Sequence, residues 1–124
     1  MNIPENLRYT NDHEWVKIEG NLATVGITDY AQSQLGDIVF VDIQTEGEHL
    51  DFGDTFGAIE AVKTVADALM PLSGTVIEVN PELEIEPQLV NTDPYGEGWM
   101  IKIECSNLAE AAKLLSAEEY RELL

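Results

Sequence analysis

Basic side chains are scarce. Six Lys and Arg stand against 24 Asp and Glu in 124 residues, a formal net charge of −18. Charge of that sign and size opposes binding to nucleic-acid phosphates or anionic membrane surfaces at long range, and it favours partners with basic docking faces. Cysteine occurs once, as Cys105, so no internal disulfide can form; at the end of an apolar run it reads as a small packed side chain. No stretch of about eighteen apolar residues is present, so no membrane-spanning helix is expected. The start, M-N-I-P-E-N-L-R-Y, has neither the basic and apolar regions of a signal peptide nor the Arg-rich amphipathic character of a transit peptide. A cytoplasmic location is therefore expected. His49 has Glu46, Glu48 and Asp51 near it but no second histidine or cysteine, so a solvated polar connection is the better reading than a metal site.

A hydrophobic share of 44% with 24% charged is ordinary for a globular chain and enough for a core. No long linker, heptad run or tandem repeat divides the sequence, so residues 1–124 are expected to form one domain. Residues 14–19 and 22–27 read as two strands joined at Gly20 and Asn21. Thr28 and Asp29 open a short helix that Gly36 stops, and residues 37–44 make a core strand. Residues 45–54 are a polar connection around Leu50. Residues 75–80 form another strand, and the acidic alternation from Pro81 to Pro87 reads as a solvated loop guarding a sheet edge. Residues 91–98 are dense in turn formers, with neither the glycine spacing nor the lysine of a phosphate-binding loop. From Trp99 to Glu104 the alternation predicts Trp99, Ile101 and Ile103 on the buried face. Two helices are expected in 107–124, the first burying Leu108, Ala111, Ala112 and Leu115, the second opened by Ser116 and Glu119 and burying Tyr120, Leu123 and Leu124. Short strands at close spacing with helices pushed to the end indicate a small sandwich or flattened barrel.

The chain is organised around Gly57 to Gly74, G-A-I-E-A-V-K-T-V-A-D-A-L-M-P-L-S-G. Lys63 at its middle is the sole cation between Lys17 and Lys102, among sixteen acids. Small and branched apolar residues flank it on both sides, the pattern of two strands meeting at a tip made of Lys63 and Thr64. Lys-Thr is not a pair that favours a two-residue turn, so the hairpin rests on the flanking pattern, and an isolated lysine is ordinarily a solvated one. A Schiff-base lysine needs burial or a neighbouring cation to lower its pKa, and only acids surround this one. His13 has no partnered nucleophile and reads as a packed histidine beside Trp15.

E-A-V-K at Glu60 to Lys63, Asp67, P-L-S-G at Pro71 to Gly74, V-N at Val79 and Asn80, and L-V-N-T-D-P-Y-G-E-G-W at Leu89 to Trp99 together resemble the H proteins of the glycine cleavage system. R-Y-T-N-D-H-E-W at Arg8 to Trp15 and V-G-I-T-D-Y-A-Q-S-Q-L-G-D-I-V-F-V at Val25 to Val41 extend the likeness to nearly the whole chain. The resemblance implies a lipoyl-domain-like barrel-sandwich hybrid, with lipoic acid joined by an amide bond to Lys63 on a protruding hairpin, and a carrier in place of an enzyme. It implies that Glu60 serves recognition by a lipoate ligase or octanoyltransferase. Glu14 and Asp67 take family positions in the cleft that holds the loaded arm, and Asp12 stands where the family often has serine or another polar residue. The implied partners are glycine decarboxylase, aminomethyltransferase and dihydrolipoyl dehydrogenase, visited by a monomer. A biotin carrier would have methionine on both sides of the lysine, where Val62 and Thr64 stand. A lipoyl domain of a 2-oxoacid dehydrogenase complex does not explain the P-Y-G-E-G-W block. A lipoyl relay to other enzymes agrees with every residue named.

Overall fold

Alternating apolar and polar residues on either side of Gly20, whose φ is 64°, fold back into the expected first hairpin. It belongs to a six-stranded antiparallel sheet of β1 (Arg8–Tyr9), β2 (Glu14–Glu19), β3 (Leu22–Ile27), β5 (His49–Leu50), β8 (Gly74–Val79) and β9 (Ile101–Cys105). The strand order is β1-β2-β3-β9-β8-β5. A second antiparallel sheet, in the order β4-β6-β7, holds β4 (Ile38–Asp42), β6 (Thr55–Ala61) and β7 (Val65–Leu69). The computed structural model describes all residues, 1–124. Val16, Val25, Val76, Ile101 and Ile103 of the larger sheet share a core with Val41, Phe56, Ile59 and Ala68 of the smaller. The two unclosed sheets make the mainly β barrel-sandwich that the sequence led one to expect.

Helix α1 (Asp29–Leu35) bridges the sheets. Thr28 is its N-cap, accepting from the Ala31 amide, and Gly36 at φ 78° closes it. Two short helices, α2 (Glu82–Ile85) and α3 (Leu89–Thr92), lie between β8 and β9, and α4 (Ala117–Leu123) closes the chain with the predicted Ser116–Glu119 capping box.

Several expectations are corrected. Residues 81–87 are not a solvated loop, because the Asn80 side chain accepts from the Glu82 amide and starts α2, whose Leu83 is buried in the main core. Leu50 is no lone apolar insertion, since His49–Leu50 pairs with Gly74–Thr75 as β5. Residues 91 and 92 are helical before the turns of 93–98 begin. Met100 is buried while Trp99 is only half-buried, because the ladder starts at Ile101 and the Met100 amide first bonds the Val25 carbonyl. Residues 108–113 form a 3₁₀ helix with no buried member, and Leu114 enters the core where Leu108 was expected. A 3₁₀ segment turns three residues per cycle, so the 3.6-residue stripe loses its register. In α4 Tyr120 is buried, but Leu123 at its end and Leu124 just beyond stay exposed.

Candidate functional site

The lysine hairpin is held from its side. In β6 and β7 the register pairs Glu60 with Val65, and the Ala61 amide donates to the Thr64 carbonyl at 2.8 Å. The two residues spanned are Val62 and Lys63, one position earlier than the Lys63–Thr64 tip read from sequence. Neither has positive φ, so the turn is not one of the self-sufficient hairpin types. The Val62 amide instead donates to the Asp37 carbonyl at 2.9 Å, pinning the tip to the segment after α1. Val62, Lys63 and Thr64 are all exposed. Glu60 lies on the outer face of the smaller sheet in a row with Phe40 and Val65.

Asn91 fixes that neighbouring segment. Its Oδ1 accepts from the Ile38 amide, and its Nδ2 donates to the Gly36 carbonyl and to Gln32 Oε1. One amide side chain thus ties the end of α1 to the start of β4, on the ground against which the lysine tip rests. The block Leu89 to Trp99 was read as a turn and a family signature; its positional work emerges only with these bonds. Pro94 continues it by accepting from the Trp15 indole at 2.9 Å.

A cleft of about 320 Å³ opens between β7 and α1. Ile27, Leu35, Ile59 and Ala66 supply apolar walls; Asp12, Glu14 and Asp67 supply carboxylates. The structure therefore brings together three of the five residues singled out from sequence, and places Glu60 and Lys63 outside the lining. Lys63 is near it all the same. Its Cε lies 3.2 Å from where a Cβ on Gly36 would stand, and Gly36 follows Leu35 of the cleft wall.

Asp12 and Asp67 are exposed at the rim, whereas Glu14 is 2% exposed. Its Oε1 accepts from Thr10 Oγ1 at 2.7 Å and its Oε2 takes a longer bond from the Leu69 amide at 3.4 Å. No cation pairs with it, and burial pushes its pKa up to about 7, against the pull of those two bonds. His13, next to it, has φ 67° and lines the same cleft. Its Nδ1 is 2.8 Å from the Tyr120 hydroxyl and its ring packs against Tyr30, not beside Trp15 as expected. Burial holds the imidazole below its ordinary pKa, with Asp12 opposing. The Tyr120 hydroxyl also lies 2.7 Å from Thr28 Oγ1, so one side chain of α4 ties together the loop before β2 and the cap of α1. In the sequence Tyr120 showed only as part of an apolar stripe.

The residues suit a covalently tethered arm. An exposed primary amine stands beside an apolar trough whose inner end holds an unpaired, buried carboxyl group, fit for a flexible chain carrying a cationic end.

Comparison with known proteins bears on the same chain almost end to end. The family described as "Glycine cleavage H-protein" matches residues 7–124. The glycine cleavage system H proteins of Bacteroides fragilis and Bacteroides thetaiotaomicron are each 60% identical over 121 residues, spanning 98% of this chain and 96% of theirs. That of Carboxydothermus hydrogenoformans is 52% identical over 122 residues, spanning 98% and 94%. The crystal structure of a glycine cleavage system H protein from Mycobacterium marinum superposes with a TM-score of 0.88 at 40% identity, covering 97% of each chain.

Proposed function

From the premise that the chain belongs to the glycine cleavage H-protein family, we propose that it shuttles the aminomethyl group of glycine on a lipoyl arm attached to Lys63. It is a carrier protein, not an enzyme. The group is received from the pyridoxal-phosphate glycine decarboxylase and delivered to the aminomethyltransferase, and electrons pass to dihydrolipoyl dehydrogenase. The working protein is a cytoplasmic monomer, a single unit over 1–124. No helix is long and apolar enough to cross a membrane.

The observation that supports this reading most is the exposed lysine on a pinned tip, adjoining a cleft with a buried carboxyl group. When bound, lipoate supplies a dithiolane that takes up cargo and two electrons and gives them back. The remaining work falls to this chain's side chains. Lys63 provides the amide nitrogen and loses its charge on attachment. Glu60, three residues before it on the rigid strand, offers a fixed carboxylate to the lipoate ligase or octanoyltransferase. Ile27, Leu35, Ile59 and Ala66 exclude water from the stem of the arm. Glu14 gives up its proton beside the cargo's ammonium and pairs with it, which favours seating only for a cationic load. Asp12 and Asp67 add negative potential at the rim.

Two variants test the assignment. Glu14→Ala is expected to accept lipoate at the parent rate and to lose its glycine-derived load by hydrolysis several-fold faster, followed by formaldehyde release. Glu60→Ala is expected to slow in vitro lipoylation while leaving the thermal unfolding temperature unchanged. An unaltered load lifetime removes Glu14 from this role, and an unaltered lipoylation rate removes Glu60.

A further inference from the structure

His13 holds its place against a backbone cost. Its φ of 67° is uncommon outside glycine, and it is kept by an amide that donates to the Thr10 carbonyl and a carbonyl that accepts from the Thr28 amide. The ring lines the cleft. Its Nδ1 meets the Tyr120 hydroxyl at 2.8 Å, the ring's one hydrogen bond within the protein, and that hydroxyl meets Thr28 Oγ1 at 2.7 Å.

Counting hydrogens gives this chain of bonds a direction. Thr28 and Tyr120 are wholly buried, and their hydroxyl oxygens have no further partner except the Ala31 amide, which donates to Thr28 Oγ1. A proton on Nδ1 would be donated to the Tyr120 oxygen. Tyr120 would then either pass its own hydrogen to Thr28, whose hydrogen has no acceptor left, or accept from both sides and strand its own. Each arrangement leaves a buried hydroxyl hydrogen unpaired, which folded proteins avoid. One polarity satisfies every atom: Thr28 donates to Tyr120, Tyr120 donates to Nδ1, and the imidazole is neutral with its proton on Nε2.

We propose that Tyr120 and Thr28 are positioning residues for the cleft, their hydrogen-bond relay locking His13 as the neutral Nε2–H tautomer so that the cleft's carboxylates are left to a cationic load. This rests on the reading above that the loaded arm lies in the cleft. The titratable groups facing the ring are Asp12 and Glu14 beside it, Tyr30 of α1, Tyr120 of α4 and, from β7, Asp67. Three of them are carboxylates that would draw a proton onto the imidazole and pair with it. No Lys or Arg lines the cleft, so a charged His13 would be its sole cation and would repel the ammonium of the load. Burial of the ring acts in the same direction as the relay.

The test begins with the full-length protein before lipoylation, with 15N in its histidines, and reads the His13 ring nitrogens from pH 5 to 9. A protonated Nε2 and a bare Nδ1 are expected. Tyr120→Phe should raise the protonation constant by about threefold or more, roughly half a pH unit. Thr28→Asp also caps a helix but only accepts, so it should reverse the relay and move the neutral ring's proton to Nδ1, whereas Thr28→Ser should keep the parental pattern. In the lipoylated and glycine-loaded proteins, the ratio of load hydrolysis in Tyr120→Phe to that in the parent should be at least about twofold larger at pH 6 than at pH 8. Loosened packing alone would change both values alike. A proton on Nδ1 in the parent, an unreversed tautomer in Thr28→Asp or an unmoved titration in Tyr120→Phe would overturn the relay, and an equal ratio at both pH values would overturn its part in seating the load. Should Glu14→Ala also leave the load lifetime unaltered, the arm does not lie in the cleft and the seating role falls with it, while the nitrogen shifts still decide the tautomer.

Discussion

Lys63 rests on Gly36: the lysine Cε is 3.2 Å, and Nζ 3.6 Å, from the point a Cβ on Gly36 would occupy. The glycine has φ 78° and ψ −157°, a region open essentially to glycine alone. The stop of α1 and the seat of the Lys63 side chain are thus the same residue.

Gly36→Ala should therefore do two things at once. Backbone strain costs about 1–3 kcal/mol, so thermal unfolding should begin several degrees lower. The added methyl also pushes the Lys63 stem away, seen as altered NMR shifts at Val62 to Thr64. A variant of parental stability with unmoved tip resonances would contradict both.

Glu14 sets a pH dependence. Its folded pKa of about 7 lies above the ordinary 4.5, so between those values the folded state binds its proton more tightly than the unfolded one. Stability from this group is whole below pH 4.5, falls as pH rises and is lost above 7. Glu14→Gln, which cannot ionise, should gain on the parent across that window by up to about 3 kcal/mol. Urea unfolding of both proteins at pH 5 and pH 8 checks it; a difference that does not change with pH would contradict it.

Tyr120→Phe removes the hydroxyl shared by His13 and Thr28 while keeping the ring stacked on Tyr9, 4.7 Å between centroids. The buried Thr28 hydroxyl and the half-buried His13 imidazole lose a partner, at a cost of about 1–3 kcal/mol. Denaturant unfolding should show that loss, and NMR shifts should change at Asp12 to Glu14 and at Thr28 to Ala31, far from α4 in sequence.

Glu110 braces the P-L-S-G turn. Its two oxygens accept from the Ser73 amide and hydroxyl, each at 2.8 Å, and Ser73 Oγ in turn accepts from the Phe52 amide. Glu110→Ala should speed hydrogen exchange at Ser73 and Phe52 by about tenfold or more, the equivalent of roughly 1.4 kcal/mol.

What could be read from the sequence was what local chemistry decides. Glycine-marked turns, the Thr28 cap, the Ser116–Glu119 box and the apolar flanks of Lys63 placed the first hairpin, α1, α4 and the lysine hairpin to within a residue. Where a partner far along the chain decides, the pattern misled. The acids around Leu83 concealed a helix that draws Leu83 into the core and leaves Ile85 exposed. The strand at His49–Leu50 exists only because Gly74–Thr75 lies beside it. Glu14 was marked by the family resemblance alone, and its burial without a cation is set by residues distant in sequence; His13 takes a left-handed backbone with Tyr120, 107 residues later, bonded to its ring.

The central claim is that one amine, Lys63, is the tether. The purified protein should be incubated with lipoate, ATP and a lipoate ligase, then measured by intact mass and by mass spectrometry of the Lys63 peptide. A single lipoyl increment on Lys63, absent from Lys63→Arg, is predicted. An increment on Lys17, Lys102 or Lys113, a biotin increment in cell-derived protein, or an unmodified Lys63 under conditions that lipoylate a known carrier would contradict it.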